Sequence, residues 1–157
     1  MSEKATMIVF SGDLDKAMAS FIIATGAASM GKEVTMFFTF WGLNILRKDQ
    51  YVPAKKSFVE SMFGKMMPRG PEKLGLSKMN FGGMGAKMMK GEMRKKNIIS
   101  LPELMETAKE LEIKMVACTM SMDVMGISKE ELIDGLEYAG VATFLGAADE
   151  SNINLFI

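Results

Sequence analysis

The chain has 157 residues, 48% of them hydrophobic and 24% charged, and its nineteen basic side chains balance nineteen acidic ones. That length supports one domain with its own core, over residues 1–157, and the balanced charge argues against a nucleic-acid binder. A single cysteine excludes a disulfide within the chain, the lack of histidine removes the usual general base and imidazole metal sites, and neither a signal-peptide layout nor a membrane-spanning run is visible, so a cytoplasmic protein is expected.

Residues 6–11, TMIVFS, form a short apolar run and predict a buried strand. Asp13 or Asp15 in the following GDLDK is placed to cap a helix, whose inner face recurs as Leu14, Ala17, Met18, Phe21, Ile22 and Thr25. Gly31 is placed to end it. Residues 33–40, EVTMFFTF, are rich in β-branched and aromatic side chains and predict a second strand, with WGLNILRK as a helical turn after it. Further on, Ser100 and Glu103 form a capping box, and Leu101, Leu104, Met105, Ala108 and Leu111 make the buried stripe of that helix. IKMVAC, ending at Cys118, predicts a third strand. Ser128 and Glu131 form a second capping box, predicting a helix that buries Leu132, Ile133 and Leu136 and ends at Gly140. VATFL reads as a fourth buried strand and NINLFI as a fifth. Alternating strands and helices predict a three-layer α/β/α sandwich of about five mostly parallel strands, with flavodoxin-like character.

Residues 61–97 break the pattern. They hold eight of the eighteen methionines, seven of the fifteen glycines, and nine Lys or Arg against two Glu. Two short amphipathic helices are predicted near 58–67 and 84–96, with Met62 and Met66, Met84 and Met88, and Met89 and Met93 each on one helical face. The insert reads as a helical hairpin between strands two and three. Its methionines either fill gaps against the sheet or form a soft surface for a partner protein or an anionic membrane surface. Thioethers also bind Cu(I), but dispersed by glycines they fix no geometry, so no metal site is expected.

Cys118 lies at the carboxyl end of its predicted strand, where ligands of open α/β sheets gather. A helix starting beside it presents its positive end to the sulfur, and thiolate is the reactive form. Packing is the competing reading, since cysteine is among the most buried residue types. Asp123 nearby reads as a turn cap, and Phe40 and Trp41 close strand two at the same sheet edge, where they either wall a pocket or pack. SGDLDKA has too few glycines and too many acids for a phosphate-binding turn.

The succession TMIVFSGDLDKA, FFTFWGLNILRK, a methionine- and glycine-rich insert, and KMVACTMSMDVMGI resembles the DsrE/DsrF-like sulfur-relay family, in its DsrE-type branch with a long insert. The resemblance covers nearly the whole chain, and ACTMSMDVMG with the FWG segment is its most specific part. It implies a cytoplasmic, usually oligomeric α/β protein whose cysteine carries sulfane sulfur as a persulfide between donor and acceptor proteins; no cofactor is expected. Carried onto this sequence, that cysteine is Cys118; from their own positions, Thr119 and Ser121 are candidates to hydrogen-bond the persulfide and Trp41 is a candidate for the pocket wall. Two other classes remain open: an interaction module using the methionine-rich hairpin, and a binder of a small molecule such as flavin or nucleotide at the sheet edge.

Overall fold

The computed structural model describes residues 3–52 and 56–157. Five strands, β1 (Lys4–Val9), β2 (Glu33–Phe38), β3 (Lys114–Cys118), β4 (Glu137–Ala139) and β5 (Ile153–Phe156), form one sheet in the order β4-β3-β2-β1-β5. All four pairings are parallel. The α/β class predicted from the alternation of elements is what the chain adopts, and strand order is the part that no single segment encodes.

Two helices, α1 (Leu14–Ser29) and α4 (Leu101–Glu110), pack together on one face of the sheet. Alternation along the strands turns Ala5, Met7 and Val9, then Met36 and Phe38, then Met115 and Ala117 into that core. Phe21 of α1 meets Phe38 with ring centroids 6.0 Å apart. The predicted stripes of both helices are buried there, except that Ile22 of α1 is exposed and Leu111, the C-cap of α4, is exposed as well. Asp13 is the N-cap of α1 but makes no side-chain cap bond; it pairs with Lys16 instead, and Asp15 accepts from the backbone and hydroxyl of Ser77. Gly31 takes a φ of 87° just past α1, a conformation that disfavours any residue with a Cβ. The Ser100–Glu103 capping box is closed in both directions. Ser100→Ala is expected to lower stability by about 1 kcal/mol, visible as a lower thermal midpoint with unchanged far-UV dichroism.

The opposite face is covered differently from expectation. VATFL is not a strand: it opens the helix α6 (Val141–Asp149), and the fourth strand is the shorter β4 just before it. A five-residue apolar run does not separate strand from helix by itself. Here topology decides, because the chain must travel from β4 at one sheet edge to β5 at the other, and a parallel connection of that kind crosses the face as a helix. Gly140 is the N-cap of α6, not the end of an earlier helix. The segment after Ser128 differs too. The Ser128–Glu131 capping box forms, but it closes only one 3-10 turn, Lys129–Glu131. The backbone is then drawn away: Ile133 N–H donates to Leu46, and Arg47 and Leu132 form an antiparallel bridge. Leu132 is buried as expected, while Ile133 and Leu136 are partly buried.

The insert contains the predicted helices, as α2 (Phe58–Met66) and α3 (Met84–Lys95). Its methionines are mostly not gap fillers. Met62, Met66, Met79, Met84, Met88 and Met89 are exposed, Met67 is buried, and Met93 packs on the core.

A buried ion cluster ties the insert to the body. Lys56 Nζ donates to both carboxylate oxygens of Glu131, at 2.6 and 2.7 Å. Arg47 Nη2 lies 3.8 Å from Glu131 Oε1, and both side chains are fully buried. Arg47 also donates to the carbonyls of Gly64, Met67 and Pro68. Burial opposes ionisation of Glu131. The bonds from Lys56 and the Ser128 N–H, with the charges of Lys56 and Arg47, outweigh it and hold the carboxyl below the usual carboxylate range.

Candidate functional site

Cys118 ends β3 and is the N-cap of α5 (Thr119–Met125). Strand alternation turns its side chain to the α6 face, opposite the main core. There it clusters with Phe37 and Val116, against which Ile8, Ala139 and Phe144 pack. Phe144 of α6 and Phe37 of β2 meet with ring centroids 5.6 Å apart. Cys118 is 3% exposed. It therefore sits at the predicted sheet edge but beneath the surface, and a reagent reaches the sulfur only after local movement.

The cover is weakly anchored. No residue of α6 is buried, and Val141 and Leu145 are 60% and 54% exposed. Beside α6, over β2 and β3, the sheet face is open as a groove of about 580 Å³, lined by Thr35, Phe37, Lys114, Val116, Phe144 and Ala147.

The other candidate residues are only partly gathered around the sulfur. Thr119 follows Cys118, and its hydroxyl donates to Ala139 O at 3.5 Å. Ser121 is buried and paired with Thr39, hydroxyl to hydroxyl at 2.6 Å, so its hydroxyl is already engaged. Trp41, 47% exposed, lines a separate crevice beyond β1 and β2 with Phe10, Ser11, Gly12, Asp13 and Lys16; Cys118 is not among that crevice's lining residues. Phe40 packs against Phe10 at 5.5 Å. Asp123 is exposed on α5.

Phe37, Ala139 and Phe144 are the neighbours of Cys118 that were not singled out from the sequence. The signal was present in part: Val141, Phe144, Leu145 and Ala148 recur at helical spacing, and a helix crossing the sheet has to turn one of them onto it. Next to the site, α2 packs on α5. Val59, Met62, Phe63 and Met66 of α2 are exposed, as are Met120 and Val124 of α5.

Among the described residues no helix is long and apolar enough to cross a membrane. Known proteins share this architecture. YchN of E. coli superposes with a TM-score of 0.55 over 99% of both chains at 10% identity. MTH1491 of Methanobacterium thermoautotrophicum also gives 0.55, over 99% of this chain and all of its own, at 11% identity. Those likenesses establish the fold. In sequence, the chain is 57% identical to YrkE of Bacillus subtilis over 99% of this chain and 98% of that protein. It is 42% identical to a protein of Allochromatium vinosum named sulfur carrier protein DsrE2, over 99% and 98%. The model of the DsrE/DsrF/DrsH-like family matches residues 1–156, and the chain belongs to that family.

Proposed function

We propose that the protein is a cytoplasmic sulfur carrier that holds sulfane sulfur as a persulfide on Cys118. The carrying observation is the pairing of a sole cysteine, at the carboxyl end of β3, with 42% identity to a protein named as a sulfur carrier. The chemistry needs no histidine and no cofactor. The Cys118 thiolate attacks the outer sulfur of a persulfide or polysulfide donor. A new S–S bond forms, the donor's S–S bond breaks, and the donor leaves as a thiolate with the electron pair. An acceptor thiolate then attacks the outer sulfur and returns Cys118 to thiolate, so the relay is redox-neutral. Because Cys118 is buried, each transfer requires the layer of α6 to yield, and its lack of buried residues is consistent with that. Thr119 is the candidate to donate a hydrogen bond to the persulfide, its present bond being long.

Assembly with further copies of this chain fits the exposure of Val141 and Leu145 on α6 and of Phe156 on β5, an apolar surface that a monomer leaves wet. Incubation with polysulfide should yield a species heavier by one sulfur atom, which a small thiol removes. A protein whose mass stays unchanged refutes the reading.

A second reading, an interaction module, draws on the exposed apolar side chains of α2 and α5, to which the basic insert adds attraction for an acidic protein or membrane surface. Under it, Phe63→Glu with Met66→Glu abolishes partner capture while Cys118→Ser leaves capture intact. The relay predicts instead that the double substitution slows transfer to an acceptor without affecting loading.

A further inference from the structure

We propose that the pocket between α2 and the turn at residues 67–70 binds a small, doubly charged oxyanion, at a site separate from Cys118. The pocket is a cavity of about 110 Å³, and its lining includes Tyr51, Lys56, Ser61, Lys65, Arg69 and Glu131. It is too small for a nucleotide-sized ligand, for which several hundred cubic ångströms is ordinary.

Its chemistry is one-sided. Lys56 occupies both oxygens of the single carboxylate, Glu131. Arg47 lies directly behind the floor, bonded to Gly64 O at 3.1 Å, and both Gly64 and Glu131 line the cavity. Lys65 and Arg69 have no ion-pair partner among the described residues. Four cations thus surround one carboxylate, and of the positive charge left over a dianion at the pocket offsets twice as much as chloride does.

Two further observations mark the space as a receptor for acceptor atoms. Arg69, which lines the pocket, has its Nη1 buried with no hydrogen-bond partner among the described residues, and Nε of Arg47, behind the floor and not itself a lining residue, is likewise unpartnered. Unmade bonds of this kind are costly for charged groups and call for an explanation. The second is Gly64: a Cβ there would stand at ordinary contact distance, 3.6 Å from Lys56 Nζ and 3.8 Å from Arg47 Nη2, and would fill the gap between two cations that the glycine leaves open. The Arg69 guanidinium is held over the Tyr51 ring, 5.4 Å from its centroid, at the pocket wall. Burial, and after it the like charge of Arg69, push the Arg47 guanidinium down from its ordinary value, and Glu131 works the other way. A bound dianion relieves that strain between the two guanidinium groups. Sulfate, thiosulfate and phosphate share the required charge and acceptor geometry.

Equilibrium dialysis with radiolabelled sulfate, at ionic strength held constant with chloride, tests the site. Wild-type protein is expected to bind at a single saturable site, and unlabelled thiosulfate and phosphate, added as competitors, rank the three oxyanions. Arg69→Gln should weaken binding about tenfold or more, as expected for a charge-assisted hydrogen bond. Lys65→Gln on the exposed rim is the second variant should Arg69→Gln fail to fold. Cys118→Ser should bind sulfate unchanged, which keeps this result independent of the relay. No saturable binding by wild type, equal binding by wild type and the folded charge variant, or loss of binding in Cys118→Ser would each overturn the proposal.

Discussion

Glu131→Ala is expected to lower folding stability by about 3–5 kcal/mol, enough to leave a protein of ordinary stability marginal or unfolded. The side chain is fully buried and meets Lys56 and Arg47 together. Removing it strands both cations away from water without a counter-charge, and that uncompensated burial is the large term rather than the lost attraction. It also deletes the acceptor of the Ser128 N–H, which is the half of the capping box that reaches back. Chemical denaturation of the variant checks the loss. Glu131→Gln keeps the shape and isolates the charge, and it carries a pH signature. The folded carboxyl titrates below its ordinary value near pH 4.5. Above that value both folded and unfolded chains are ionised, and the stabilisation is present in full. As pH falls, the unfolded chain takes up the proton first, and stability drains away until the folded group also titrates. Wild type should therefore lose more stability than Glu131→Gln between about pH 4.5 and the lowered folded value, and parallel acid-denaturation curves for the two would contradict the assignment.

Cys118→Ser should take up no sulfur from polysulfide, because no other thiol exists in the chain. An adduct that persists in this variant belongs to another chemistry. The wild-type rate should be limited by exposure. With Cys118 buried in a cluster with Phe37 against which Phe144 packs, alkylation of the folded protein is expected to be slower than that of the denatured chain. Phe144→Ala removes the ring that α6 lays on Phe37, and a rise of about tenfold in alkylation rate corresponds to about 1.4 kcal/mol of easier opening. An unchanged rate would mean that the path to the sulfur runs elsewhere, along α5 instead of α6.

How much of this is legible in the sequence depends on where each signal is decided. Local signals held: Ser100 with Glu103 caps α4 as its spacing implies, and the helices of the insert fall within one residue of their predicted limits. Signals settled by distant partners did not. Ser128 with Glu131 has the same spacing, yet Glu131 answers to Lys56 and Arg47, and the helix stops after one turn. VATFL is apolar enough for a strand, and only the need to cross from one sheet edge to the other makes it a helix. Cys118 was located correctly along the chain, because strand ends are visible in sequence. Its depth is not, because the cluster that holds it, with Phe37 and Val116, is covered by Ile8, Ala139 and Phe144 from three other elements. Trp41 shares the sheet edge but faces a different crevice, a distinction that requires strand order. Arg47 carried a faint sign, a guanidinium directly after the apolar Ile45 and Leu46.

The sheet order has a consequence for how the chain acquires its structure. Ala5 pairs with Ile153 and Ile8 with Phe156, so β1, an interior strand of the finished sheet, keeps one side of its ladder unfilled until a segment made far later arrives. During synthesis β1 and β2 can zip together early, but the other edge of β1 stays open to any extended segment nearby. A chain cut before Ile153 keeps that edge open, and its aggregation during refolding is the expected result.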